Sequence, residues 1–247
     1  IHMPYEGHGR TSLGINFGTS VHVFSKNNGC DNGNYQCVRH FEIDEDGVPL
    51  SFPMENERRS FVSQTSLSKI PGSPIGYWLS STFIDGWSKF QYLSNKLTTR
   101  EGMATADNER FLRLWFEPDF TKIDLRYVES KENSAAKWFP YNKGGDFRRW
   151  YGNIIYVVNW ENDGYDIKNN IDENTGRIRS HNYNGEYAFH EGLTWTALSS
   201  GLFAIRYSPA GFLWDSKGAM GFTDYKNECL SFLNSIVARQ YLKVIAG

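Results

Sequence analysis

Cationic, aromatic and amide side chains alternate with glycines in one stretch of the chain, residues 137–195. Four cations, Lys137, Lys143, Arg148 and Arg149, fall within thirteen positions that contain a single aspartate. Lysine and arginine bind phosphate oxygens, arginine and asparagine bind base edges, and glycine lets backbone N–H groups approach a duplex. This combination predicts a surface that binds a flat, polar anion such as DNA.

The predicted DNA-binding residues are cations, amides, aromatic residues and glycines of this stretch. They are Lys137, Tyr141, Asn142, Lys143, Gly144, Gly145, Arg148, Arg149, Arg177, Arg179, Asn182, Tyr183, Asn184 and Trp195. In this hypothesis the first four cations hold phosphates or read guanine, and the asparagines read adenine. Arg177 and Arg179 enter a groove from a later loop, while the three aromatic residues support the loops or touch bases.

Three further tryptophans, Trp138, Trp150 and Trp160, lie in the same stretch. We expect them to pack in the core or under loops rather than contact DNA, because tryptophan is usually largely buried. A β module that stacks sugars on these indole rings would have a similar composition, so a glycan-binding function stays open. A surface for an acidic protein would use the same cations and stays open too.

Other signatures of catalysis or metal binding are weak. The segment 7–12 only half resembles a glycine-rich cofactor loop, because its third glycine is missing and no predicted strand precedes it. Cys30, Cys37, His40 and Cys229 could supply four zinc ligands, but their spacing is not that of a zinc knuckle. We expect ordinary buried thiols instead.

An acidic segment follows the tryptophans. Asp163, Asp166, Asp172 and Asn174 carry oxygen ligands for a hard cation but lack the order of a calcium-binding loop. We therefore expect a solvated acidic loop, and the sequence predicts neither a catalytic residue nor a metal ligand.

The bulk composition limits the class of protein. A chain of 247 residues with a formal net charge of −2 must bind DNA through a local basic patch rather than by its overall charge. No apolar run approaches the roughly 20 residues of a membrane span, which predicts a protein with no membrane partner. Three cysteines without close pairing indicate a reduced, cytoplasmic protein.

Short strands separated by turns are the elements that would position these residues. The predicted strands are residues 13–26, 35–43, 154–158 and 202–207. Residues 55–68 predict a short helix or a loop. Between the proline-containing turn 69–74 and about residue 98 we expect a domain junction.

Two helices are predicted in the second part. Thr105 or Asp107 can cap a short helix whose Phe111, Leu112 and Trp115 share a face. Residues 224–245 show apolar side chains at helical spacing with cations toward the end, which predicts one continuous C-terminal helix.

Several long segments resemble the C-terminal region of PglX, the family of adenine-specific DNA methyltransferases of bacteriophage-exclusion (BREX) systems. The matching segments are 69–78, 102–113, 137–148, 159–164 and 232–238. In that family a methyltransferase domain binds S-adenosylmethionine and a C-terminal target-recognition domain reads DNA. The resemblance therefore implies an α+β, strand-rich target-recognition domain with a few helices, preceded by a small sheet from the end of a methyltransferase domain.

The resemblance also implies a division of the chain and a set of partners. Residues 1–97 would hold the end of the methyltransferase domain and a connector, and residues 98–247 the target-recognition domain. The family's catalytic loop and cofactor motif do not occur in this sequence, so S-adenosylmethionine is implied for the parent protein alone. The implied partners are double-stranded DNA, the parent's methyltransferase domain, and other BREX proteins or a phage-encoded DNA mimic.

Overall fold

The computed structural model describes residues 2–3, 18–24, 26, 31–125, 136–198 and 201–246. The chain is mixed α/β and rich in short strands, which confirms the predicted α+β class. Its backbone contacts divide it into unit 1 (Ile1–Gln91 with Val244–Gly247) and unit 2 (Tyr92–Lys243). The assignment of 1–97 and 98–247 to two functional domains stays a prediction. No described helix has the length and apolar character to cross a membrane.

The elements are short throughout. The strands are β1 (His2–Met3), β2 (Thr19–Ser20), β3 (Asn32–Gln36), β4 (Arg59–Ser63), β5 (Thr98–Arg100), β6 (Leu112–Leu114), β7 (Trp138–Asn142), β8 (Tyr156–Asn159), β9 (Gly192–Trp195), β10 (Ile205–Ser208), β11 (Leu213–Trp214) and β12 (Met220–Phe222). The helices are α1 (Gln64–Leu67), α2 (Ser81–Lys89), α3 (Asn108–Phe111), α4 (Glu161–Lys168), α5 (Lys226–Leu233) and α6 (Ile236–Ala246).

Unit 1 contains two antiparallel pairs, β1 with β2 and β3 with β4. Its core forms around Leu67, Ile70 and Ile84. The predicted strand at 13–26 is present only as β2, and residues 13–17 and 25 lie outside the described part. The predicted strand at 35–43 ends early at Gln36, and β4 occupies part of the segment expected to be a helix or loop.

Unit 2 contains two four-stranded sheets. One has the order β10-β9-β12-β5 and is antiparallel, and the other has the order β11-β7-β8-β6, with β11 parallel to β7. Phe111, Tyr141 and Val158 belong to one core cluster. Leu193 and Ile205 belong to a second, which α5 covers with Cys229 and Leu233.

The strand β7 differs from the expectation of a surface loop at its position. All five of its residues are buried, because the strand lies between β11 and β8 inside the sheet. A strand that is covered on both faces does not alternate apolar and polar residues. The sequence pattern of 138–142 therefore did not indicate a strand. The surface loop begins only after Asn142.

The short helix predicted after Asp107 is shorter than expected. Asp107 caps α3 by accepting a hydrogen bond from the N–H of Arg110 at 3.0 Å. The helix ends at Phe111, because Leu112–Leu114 instead pairs with β8 as strand β6. Sheet pairing therefore replaced the later helical turns, and Trp115 does not share a helical face with Phe111.

The predicted C-terminal helix is divided into α5 and α6. Asn234 lies between them, and its side-chain amide accepts a hydrogen bond from the N–H of Ile205 at 3.2 Å and donates one to the Ile205 carbonyl at 2.9 Å. Ser235 then accepts a hydrogen bond from the N–H of Ala238 at 3.1 Å and starts the second helix. The break thus ties the helices to β10.

Candidate nucleic-acid interface

Residues 143–152, which we call the basic loop, connect β7 to a return segment beside β10. The N–H of Trp150 donates to the Ile205 carbonyl at 3.1 Å, and the N–H of Tyr207 donates to the Trp150 carbonyl at 2.8 Å. The end of the loop therefore runs parallel to β10 and pairs with it at one position. Both ends of the basic loop are fixed to strands.

Glycines and side-chain hydrogen bonds determine the shape of the basic loop. Gly144 and Gly145 have φ angles of +85° and +126°, which L side chains rarely adopt. The Thr196 hydroxyl donates to the Gly145 carbonyl at 2.9 Å, and the Asn153 amide donates to the Asp146 carbonyl at 2.9 Å. Hydrogen bonds therefore position the first part of the loop at Gly145 and Asp146.

Two of the three cations of the basic loop lie close to aromatic rings. The Lys143 ammonium lies 5.2 Å from the centre of the Tyr156 ring, and the Arg149 guanidinium lies 5.5 Å from that of Phe147. Burial lowers the pKa of Lys143, an effect that the nearby Asp215 carboxylate opposes. Arg149 Nε is shielded from solvent and has no hydrogen-bond partner in the described part of the chain.

The other two predicted cations of residues 137–149, Arg148 and Lys137, have different surroundings. Arg148 is exposed at the tip of the basic loop, and its side chain forms no salt bridge with a described residue. Lys137 lies at the start of β7 instead, and its ammonium nitrogen is 3.3 Å from a carboxylate oxygen of Glu161. Lys137 is therefore a weaker candidate for phosphate binding than Arg148.

Tyr141 and Asn142, two residues of the predicted contact set, are buried. Tyr141 is 0% exposed, and its hydroxyl donates to the Met103 carbonyl at 3.2 Å and to Asp215 Oδ2 at 3.1 Å. Burial, and then the Asp215 carboxylate, raise the pKa of this phenol. Asn142 is 4% exposed and donates to the Ser208 hydroxyl at 2.7 Å. Both residues support the base of the basic loop, and contact of either with DNA stays a prediction.

A second loop, residues 171–184, carries the remaining predicted cations and amides. Arg177 and Arg179 are exposed on it. The loop is fastened where the Ser180 hydroxyl donates to the Thr105 carbonyl at 2.6 Å and where His181 and Ala104 exchange backbone hydrogen bonds. Because the basic loop is fastened to β10 and Thr196 instead, the convergence of the two loops stays a prediction.

The second loop also positions its own amides. Asn182 is exposed, and the ring of Tyr183 stacks on that of His181 with centres 5.5 Å apart. Asn184 is held by its left-handed backbone, φ +54°, and by a hydrogen bond from its amide to the Glu101 carbonyl at 2.9 Å. Trp195, at the end of β9, is half-buried against the core cluster of Leu193. Asn182 and Tyr183 are thus the more accessible of these candidates.

The acidic residues form turns and ion pairs. The Asp172 carboxylate accepts hydrogen bonds from Asn174 N at 3.0 Å and from Thr175 N and Oγ1 at 2.8 and 3.0 Å, and these bonds, led by that of the Thr175 backbone, lower its pKa. Asp163 pairs with Lys168 at 2.6 Å. Among the described residues no group of His, Cys, Asp or Glu could hold a metal ion, and Cys30 lies outside them.

The three extra tryptophans divide into two groups. Trp138 and Trp160 are 8% and 5% exposed, as expected for core residues. Trp150 is 51% exposed, with a φ of +71°, at the end of the basic loop. The expectation that it is buried is wrong, because the backbone of Trp150 pairs with β10 while its indole faces solvent.

Arg206 and Lys217 were not among the predicted site residues. Arg206 lies in β10 and is 2% exposed. Lys217 lies close enough to lower the pKa of Lys143. The sequence could have indicated Arg206, because an arginine stands out inside the apolar run 202–207. Lys217 is distant in sequence from the basic loop and is brought close to it only by the fold.

Comparison with known proteins gives two relatives, while no protein-family profile matches the chain. The adenine-specific methyltransferase PglX of Lacticaseibacillus casei (strain Zhang) is 50% identical over 187 residues, which are 74% of this chain. The chain is homologous to part of a PglX methyltransferase. The adenine-specific methyltransferase BrxX of Escherichia coli O9:H4 (strain HS) is 38% identical over 172 residues, 69% of the chain.

The relatives are much longer than this chain. The matched regions are 16% of the PglX relative and 13% of the BrxX relative. The resemblance to PglX is thereby confirmed, and the short coverage is consistent with a fragment of such a methyltransferase. The activity, substrate and partners of the whole relatives are not properties that this chain inherits directly.

Proposed function

We propose that the chain is the DNA target-recognition part of an adenine-specific methyltransferase of a phage-defence system. It would bind the duplex and select the site at which the parent's methyltransferase domain modifies adenine. The cations of the basic loop, which form no salt bridge with a described carboxylate, carry this proposal, and the homology to two adenine-specific methyltransferases supports the choice of DNA as the ligand.

The basic loop carries three cations, Lys143, Arg148 and Arg149, within seven positions. Cations at other positions form salt bridges with carboxylates, namely Arg58, Lys69, Lys137, Lys168 and Lys226. Lys143, Arg148 and Arg149 form none with a described carboxylate, and the loop that carries them is fixed at both ends. A local cluster of cations favours binding of an external polyanion.

The two loops would have different tasks. The basic loop would hold phosphates, because its Lys and Arg side chains accompany glycine backbone that can approach a duplex closely. The second loop would read bases through Arg177, Arg179 and Asn182, whose side chains are exposed. The basic loop would then grip any duplex, and the second loop would supply the sequence preference.

The methyl donor would be bound elsewhere in the parent. Loops that bind such cofactors lead from a strand into a helix, whose N-terminus faces the ligand. The basic loop leads from β7 to a segment paired with β10, so it does not fit S-adenosylmethionine. Segment 7–12, the other glycine-rich stretch considered, lies outside the described residues.

Fluorescence anisotropy with a pool of random-sequence duplexes, at low and near-physiological salt, tests the proposal. The wild-type chain is compared with an Arg148→Ala/Arg149→Ala variant and with a charge-matched control, Lys69→Ala/Lys226→Ala. We expect salt-sensitive binding that weakens at least about tenfold in the first variant, since each charge-assisted hydrogen bond contributes about 1.5–3 kcal/mol. The control, which loses cations already paired with carboxylates, should bind like the wild type.

Two results would contradict the proposal. No binding by the wild-type chain at low salt would show that this chain does not recognise DNA by itself. Equal losses in the two double variants would show that overall charge, and not the basic loop, attracts the duplex. Binding to an acidic protein with steep salt dependence but no duplex affinity would identify an interaction module instead.

A further inference from the structure

The buried guanidinium of Arg206 lacks a counter-ion. Arg206 lies in the middle of β10 and is 2% exposed. Its Nε has no hydrogen-bond partner among the described residues, and none of their carboxylates forms a salt bridge with it. Burial lowers the pKa of this guanidinium, and arginine nevertheless stays charged in proteins. An unpaired buried charge is costly, so the site calls for an anion.

The side of β10 from which Arg206 projects follows from its neighbours. Ile205 belongs to the core cluster that contains Cys229 and Leu233. Successive residues of a strand face opposite sides, so Arg206 faces away from that cluster, on the same side as Ser208. The Ser208 hydroxyl accepts a hydrogen bond from the amide of Asn142 at 2.7 Å, which places this side against the start of the basic loop.

The basic loop runs around this position. It starts after Asn142 and is tied to Thr196 at Gly145. It returns at Trp150, whose N–H and carbonyl bond to Ile205 and Tyr207, the two neighbours of Arg206. The backbone on both sides of Arg206 is therefore bonded to the end of a loop that carries three further cations and two glycines of unusual backbone conformation.

Two polar side chains of the sheets around β10 already have hydrogen-bond partners. Thr194, which pairs with Arg206 in register, donates its hydroxyl to the carbonyls of Gly218 and Ala219, both at 3.2 Å. The Asp215 carboxylate accepts from the Tyr141 hydroxyl at 3.1 Å and from the Lys217 N–H at 2.8 Å. No described carboxylate forms a salt bridge with Arg206, and the Asp215 carboxylate already accepts from two other donors.

We propose that Arg206 is the cation of an oxyanion site beneath the basic loop, and that the site takes a phosphate group. The planar guanidinium can donate two parallel hydrogen bonds to phosphate oxygens. The phosphate is either a phosphodiester of bound DNA or free inorganic phosphate, and either would enter by a shift of the loop at Gly144 and Gly145. The DNA source rests on the proposed function, whereas the free ion does not.

Thermal unfolding of the full chain tests the site. The melting temperature is measured in phosphate and in chloride of equal ionic strength, for the wild type, Arg206→Met and the control Arg239→Met. Arg239 also has an Nε without a partner in the described chain, but it lies in α6. We expect phosphate to raise the melting temperature of the wild type and the control by a few degrees more than it raises that of Arg206→Met.

Melting in the chloride buffer distinguishes a loss of phosphate binding from a general loss of stability in Arg206→Met. Without phosphate, Arg206→Met should be at least as stable as the wild type, because methionine fills a similar space without a buried charge. A variant that is less stable in both buffers and keeps the full phosphate response would overturn the proposal. If Arg206→Met does not fold, Arg206→Lys serves instead, and it should show a reduced phosphate response because it lacks the planar fork.

Duplex binding in phosphate-free, low-salt buffer identifies the source of the phosphate. Weaker binding by Arg206→Met than by Arg239→Met supports a DNA phosphodiester in the site. Equal duplex binding, together with a lost phosphate response, supports the free ion. A wild-type chain that responds to phosphate but binds no duplex would contradict the proposed function and leave the oxyanion site supported.

Discussion

Single polar residues buried in unit 2 position the basic loop. Tyr141 and Asn142 end β7, and each donates a hydrogen bond from its side chain to a neighbouring segment. A buried hydroxyl or amide must find such partners, because an unsatisfied polar group in the interior is costly. These residues therefore link the sheet to the loop that follows, although their types alone suggested contact with DNA.

Tyr141→Phe tests this supporting role. Its hydroxyl donates to a carboxylate, and hydrogen bonds to charged groups contribute about 1.5–3 kcal/mol. We expect the free energy of unfolding, measured by urea denaturation, to fall by about that amount. The control Tyr183→Phe, on an exposed ring, should change it by less than about 0.5 kcal/mol. Equal effects of the two substitutions would contradict the assigned role of Tyr141.

Local backbone conformation determines the elements around the site. In α4, Asn162, Asp163 and Gly164 are left-handed, with φ angles of +51°, +56° and +68°. Asparagine, aspartate and glycine are the residues that tolerate this region. The turn brings Gly164 against the indole of the buried Trp160, where a Cβ would lie 2.6 Å from ring carbons. The segment 159–164 is thus explained by packing of the element rather than by DNA contact.

Gly164→Ala should destabilise the chain more than Gly176→Ala. Both positions have a positive φ, +68° and +65°, but a Cβ at Gly176 would meet nothing within 4 Å. We expect a loss of about 1–2 kcal/mol at Gly176 from backbone strain alone. At Gly164 a further loss of about 1–3 kcal/mol is expected from overpacking against Trp160. Urea denaturation measures both, and equal losses would contradict the contact with Trp160.

For the whole molecule, the local distribution of charge matters more for DNA binding than the net charge. The formal net charge is −2, yet Lys143, Arg148 and Arg149 lie on one loop of unit 2 without a salt bridge to a described carboxylate. Because exposed charges farther apart than about 8 Å are screened at physiological salt, the duplex would respond to this loop more than to the total charge. The affinity for a duplex should therefore decrease as cations of the basic loop are removed.

The salt dependence of duplex binding measures that number. If Arg148 holds a phosphate, Arg148→Ala should reduce the slope of log affinity against log salt by about 0.9 for every duplex sequence. Lys69→Ala should leave the slope unchanged, since Lys69 already pairs with Asp85 at 2.8 Å. A loss confined to one preferred sequence would instead identify Arg148 as a base-reading residue.

The sequence by itself determined the composition of the site, the α+β class and the relation to PglX. Its glycines and cations indicated the basic loop, and the cap at Asp107 marked the start of α3. These features depend on residue type and near neighbours, which a sequence shows directly. The resemblance rested on long matched segments, and the two relatives confirm it.

The tertiary structure decided which of those residues are accessible. Tyr141 and Asn142 became interior because β7 lies between two strands, and α5 and α6 separated because Asn234 bonds to Ile205. The pairing of Trp150 with the neighbours of Arg206 joins segments more than fifty residues apart in the chain. Burial and pairing at such separations result from the packing of sheets, so neither residue type nor local periodicity could reveal them.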